Sequence, residues 1–178
     1  MEHETLKHFD YHKWANKRVF DHLKSLPEEL FTRKIENVFS SIAEVVVHMC
    51  VADALWLKIL SGGRYEEAKE LAMLLRNELL EKDIEGLASF FDETAHRYET
   101  LFASLDDLNC DLTIEHPAFG RMTTAFSEIV NHVVNHGTYH RGNITSMLRQ
   151  MGHAGTATDY VYYLLSRHES ASSKNPPV

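Results

Sequence analysis

The chain has 178 residues, enough for one domain with a proper core and too few for two. Hydrophobic residues make up 44% and charged residues 25%, the balance of an ordinary globular protein rather than a disordered one. A net charge of -8 argues against a nucleic-acid partner, because neutralising phosphates needs clustered Lys and Arg, and no apolar run reaches the roughly 18 residues that span a membrane.

The elements follow in chain order. With only 8 Gly and 4 Pro, the chain is poor in turn formers and reads as helical. Its first residues, MEHETLKHFD, alternate charge and lack the apolar stretch of a signal peptide, which predicts a cytoplasmic protein. A first helix runs from about Glu4 to Leu26, with Leu6, Phe9, Val19, Phe20 and Leu23 near one face and Pro27 closing it. A second begins at Ser41, where Ser41 and Glu44 have capping-box spacing, and stops at Ser61-Gly62-Gly63. Arg64 to Lys82 is charged and helical in propensity but reads as a loose insertion.

A third helix, about Asp83 to Leu105, carries a stripe of Leu87, Phe90, Phe91, Thr94, Tyr98 and Leu101. LTIEH and GRMTTAF then flank Pro117 and Gly120, the pattern of a short strand pair or an ordered loop. The fourth long helix starts near Thr124 and ends at Gly152, and a short fifth covers Asp159 to Arg167. The polar stretch 169–178 is expected to be a disordered tail. The sum is an all-α fold, a four-helix bundle formed by a single domain over residues 1–168.

Chemistry concentrates in the histidines, of which there are 12. His132, His136 and His140 recur every four residues and share a helical face with Ala125, Ile129 and Met147, so that face points into the bundle. Buried imidazoles need partners, and an i,i+4 pair presents two ring nitrogens to one metal ion. All three cannot serve one ion, because about 12 Å of helical rise separates His132 from His140. His136 belongs to both possible pairs, and spacing leaves them open. A further histidine, His48, sits in the apolar helix AEVVVHMCVADALWL. The pair His8 and His12, at a surface-like helix start, reads as solvent or packing residues. Cys50 and Cys110 lack ligand spacing and read as free thiols in a reducing cytoplasm, with Cys50 on a different helical face from His48.

The segment HVVNHGTYHRGNITSMLRQMG resembles the closing motif of the DinB/YfiT-like family. FDYHKWANKRVF is similar to that family's opening, SSIAEVVVHMCVADALWL to its histidine-bearing helix and TDYVYY to its closing segment. The resemblance implies an up-down-down-up four-helix bundle, commonly dimeric. It also implies one metal ligand on the second helix and two on the fourth, here His48, His136 and His140. His132 then becomes a neighbour of the site. Arg141 and Gly142 also match, Gly142 as a packing position, while Asn143 stands where the family usually has Gln.

Relatives of this fold are metal-dependent hydrolases and thiol-dependent S-transferases. The resemblance thus implies a divalent ion, foremost zinc or nickel, and for the transferases a low-molecular-weight thiol cosubstrate acting on a small molecule. A non-catalytic, DNA-damage-inducible metal-binding protein is the other class it implies. Four further residues are candidates. Glu44 shares His48's face but has the cap to serve; Tyr139 and Arg141 flank His140 and suit an anionic group; Asp159 suits orienting a histidine or capping the fifth helix.

Overall fold

Why four helices assemble is visible in their buried stripes. In the computed structural model, which describes residues 4–118 and 120–174, α1 (Glu4–Lys24) buries Phe9, Val19, Phe20 and Leu23 as expected. The one-turn helix α2 (Glu29–Thr32) leads into α3 (Ile42–Leu60), which is apolar nearly all round and lies in the centre of the core. Ser41 caps α3 by accepting from the Glu44 amide at 3.3 Å. The helix stops at a turn in which Gly62 takes φ +84°, a left-handed conformation that suits glycine. α4 (Tyr65–Leu80) and α5 (Ile84–Ala103) follow, α5 capped by Asp83, which accepts from the Gly86 amide at 2.8 Å.

β1 (Asp111–His116) and β2 (Gly120–Ala125) form an antiparallel pair with Ile114 opposite Met122, so the expected strand pair is present. α6 (Phe126–Gln150) carries the histidine run and ends before Gly152, at φ +85°. α7 (Tyr160–Lys174) lays Tyr163 against Tyr11 and Trp14 of α1, and the Tyr163 hydroxyl donates to Asp10 at 2.8 Å. This helix continues to Lys174, beyond the expected end at Arg167, so residues 169–174 are helical rather than part of a disordered tail; residues 175–178 lie outside the described residues.

Side-chain pairs give the directions of the helices. His8 meets Asn131 and Asn16 meets Arg141, so α1 and α6 run the same way. Lys13 pairs with Glu99 and Lys24 with Glu85, so α5 opposes α1. Trp56 touches His132 while His48 touches His140, so α3 opposes α6. The order is up-down-down-up, an all-α four-helix bundle of α1, α3, α5 and α6.

That order explains α4. Two successive long helices pointing down require the chain to climb back between them, and α4 makes the return antiparallel to α3, with Ala68 and Leu79 fully buried. The segment expected as a loose insertion is therefore an integral helix. Among the described residues no helix is long and apolar enough to cross a membrane.

Candidate metal centre

His48 projects from the second turn of α3, and His136 and His140 come from successive turns of α6. Their Nε2 atoms form an equilateral triangle, with each of the three separations 3.1 Å. A tetrahedral zinc site with bonds of about 2.0–2.1 Å sets its nitrogens about 3.3–3.4 Å apart, so the triangle has the size of a ligand set. Hydrogen bonding does not account for it. Each neutral imidazole has one N–H and one lone pair, and an Nε2–H along its ring bisector serves one neighbour at best. A shared cation satisfies all three lone pairs together. The ring lies half-buried, between the core and the surface.

His132 is not part of this triangle. Its ring packs edge-on against Trp56 at 4.8 Å between centroids, one turn further along α6. Of the two pairs left open by spacing, the fold brings His136 and His140 to His48.

The electrostatics suit neutral rings. Burial first, then the charges of His140 and His48, pulls the pKa of His136 down to about 3. Burial and His48 bring His140 to about 4, and burial and the Arg76 charge lower His48. No carboxylate joins the cluster among the described residues. Glu44 is held elsewhere: its carboxylate accepts from the Ser40 hydroxyl at 2.7 Å, the Lys34 ammonium at 3.0 Å and the Ser40 amide at 3.1 Å, which lowers its pKa to about 2. Glu44 fixes the start of α3 and is not a base for the site.

Around the triangle, Phe39 lays its ring against His48 and His140 at 5.2 and 5.5 Å. Tyr139 is 66% exposed with its ring edge-on to His140, so it stands on the solvent side. Nδ2 of Asn143 faces Nδ1 of His140 at 3.2 Å. A proton on Nδ1, which frees Nε2 as a ligand, is accepted by the amide oxygen once that amide turns over. Asn143 thus touches the ring of a candidate ligand.

Two expectations are corrected behind the site, and a third is narrowed. Arg141 is 2% exposed and faces α1, not the triangle, donating to Asn16 Oδ1 at 2.8 Å, Tyr11 Oη at 3.2 Å and Thr138 Oγ1 at 2.7 Å. It is closed to a ligand. Of the two readings of His12, solvent or packing, the structure shows packing: it is fully buried, its Nε2–H donating to Asp53 Oδ2 at 2.9 Å. Gly142 has open space where a Cβ would be; the close approach is at Gly137, whose Cβ would lie 2.5 Å from Cε1 of His12. Position 137 is therefore where α1 and α6 need a glycine.

Reading the sequence missed Asp53 and Gly137. A lone aspartate in the apolar run VADALWL was the available signal for a buried polar partner. Asp159 is not one of the clustered residues; it lines a polar groove with His8, Tyr11 and Tyr160. Cys50 is buried, its thiol pKa pushed up by burial, and Cys110 is exposed; both are free.

Comparison with known proteins agrees with this architecture. The chain is 42% identical over 164 residues to the protein DinB of Bacillus subtilis (strain 168), covering 92% of this chain and 95% of that one. A crystal structure of a DinB-like protein from Bacillus cereus ATCC 10987 superimposes with a TM-score of 0.62, covering 86% of this chain and 94% of that chain at 17% identity, which speaks for the fold alone. The DinB family model matches residues 1–172. With that match over nearly its whole length, the chain belongs to the DinB family.

Proposed function

We propose that His48, His136 and His140 hold one divalent ion, zinc or nickel, and that the protein uses it as a thiol-dependent S-transferase or hydrolase of small molecules. The observation that carries this is the 3.1 Å triangle of Nε2 atoms, with no carboxylate in it among the described residues. A divalent ion there supplies Lewis acidity, which lowers the pKa of a thiol or a water and prepares it as a nucleophile. The protein's residues do the rest. Three histidines leave a coordination position for a reactant, and the exposed Tyr139 marks the side from which it arrives. Phe39 shields two of the rings from water, and Asn143 holds the ring of His140 at its far nitrogen. Neither cysteine serves: Cys50 is buried against Leu87 and Cys110 lies at the start of the strand pair. A cytoplasmic location and a homodimer accompany this reading, the first supported by the free thiols.

Metal analysis of freshly purified protein beside His48→Ala and His136→Ala is the primary test. About one ion per chain in the wild type, and at least a hundredfold weaker binding in each variant, is expected. Full stoichiometry in both variants would sink the site. Metal-loaded protein is then assayed on thiols with electrophiles and on esters. Binding without turnover on either panel would leave a non-catalytic metal protein and remove the enzyme reading.

A further inference from the structure

We propose that Arg76, on the return helix α4, recognises an anionic group of the substrate, so that the site takes small molecules bearing a carboxylate or a similar oxyanion. The inference rests on the metal-site reading above and adds a substrate class to it. Its first support is position. The ion pair between Lys58 and Glu67, at 3.3 Å, sets the register of the antiparallel α3–α4 hairpin. Ten residues back on α3 is His48, and nine residues on along α4 is Arg76, so the two lie at the same level to about 1.5 Å of helical rise. Glu67 and Arg76 also flank opposite edges of the buried stripe that holds Ala68 and Leu79. Arg76 therefore leaves the hairpin on the side away from Lys58, at the level of His48.

The second support is charge. Three neutral imidazoles around a divalent ion leave two positive charges without an acidic ligand, and Arg76 adds a third. No carboxylate joins the three histidines among the described residues, and Asp53, further along α3, is already bound to His12. Arg76 is exposed and has no hydrogen bond or ion pair among the described residues, although the chain has a net charge of -8 and offers carboxylates freely. An arginine placed beside a dication without a carboxylate raises the energy of the empty site. An anion that reaches both relieves it, and the guanidinium fork matches a carboxylate with two parallel hydrogen bonds.

Cobalt-loaded protein gives a direct readout through its visible spectrum. Titration with 3-mercaptopropionate and with cysteamine compares two thiols of similar length whose far ends carry opposite charge. The wild type is expected to bind 3-mercaptopropionate at least tenfold more tightly than cysteamine. Arg76→Gln should bring the ratio to within about threefold while cobalt affinity is unchanged, and Arg76→Lys should keep part of the preference. Equal affinities in the wild type, or a preference that persists in Arg76→Gln, would overturn the proposal. Failure of the wild type to bind cobalt at all overturns the metal reading instead, so the two failures are told apart.

Discussion

Two histidine clusters lie back to back in this bundle, and they are satisfied in opposite ways. His12, fully buried on α1, has a carboxylate at 2.9 Å and a nearby arginine, held by Asn16, that balances the carboxylate's charge. His48, His136 and His140 have chiefly one another, at 3.1 Å and with like charge when protonated. The first arrangement draws its acceptor from the protein itself, although His12 Nδ1 and Arg141 Nε have no hydrogen-bond partner among the described residues. The second has the donor set of a metal site. A buried histidine is thus not one kind of residue: a carboxylate partner makes it part of the core, and a ring of imidazoles makes it a candidate ligand.

The comparison breaks most strongly at Asp53. Asp53→Ala leaves His12 and Arg141 buried without a counter-charge and is expected to cost about 3–5 kcal/mol in urea unfolding. Asp53→Asn keeps an oxygen for His12 and should cost less. If Asp53→Ala unfolds at the wild-type midpoint, the closed cluster is not the core element described. Gly137→Ala comes next. A methyl group there meets the His12 ring at 2.5 Å, so overpacking of about 1–3 kcal/mol is expected by the same measurement. Gly142→Ala, with open space around it, is the control and should be near neutral.

A smaller effect sharpens the open cluster. Asn143→Leu removes the polar contact to His140 Nδ1, and metal affinity should fall about tenfold, read by competition with a chelator, while Asn143→Gln recovers part of it. An unchanged constant in Asn143→Leu would leave Asn143 without a positioning role. The smallest effect is on pH dependence. In metal-free protein His136 is held near pKa 3 and His140 near 4, whereas unfolded histidines titrate near 6.5. The unfolded chain takes up protons first as pH falls, so stability is full above about pH 6.5 and is lost progressively down to about pH 3–4. His136→Gln should flatten that slope in urea midpoints taken between pH 7.5 and 4.5, and an equal slope in both proteins would contradict it.

Much of this was legible in the sequence because periodicity and caps are local signals. The stripe of α1, the caps Ser41 and Asp83, and the stop at Gly152 each stand where local chemistry places them. The four-residue spacing of α6 exposed the site but not its partner, since the approach of His48 is a tertiary fact. Resemblance to a family supplied that third residue. His12 was left between solvent and packing for a related reason. A polar residue at a helix start looks like surface until its partner, Asp53 on another helix, is known. Arg141 was likewise placed beside His140 by adjacency along the chain, yet a single residue step turns a side chain by about 100° around the helix and into α1.

The return helix α4 has a consequence for how such proteins diversify. It exists because two consecutive helices point the same way, and it contributes just two fully enclosed side chains, Ala68 and Leu79, to the interior. Most of its remaining surface faces solvent, as Met73, Leu74 and Leu80 show. Substitutions on its exposed face therefore leave the four-helix core and the histidine triangle in place. Evolution is free to rewrite this helix alone, changing what the protein admits while inheriting the same chemistry beneath.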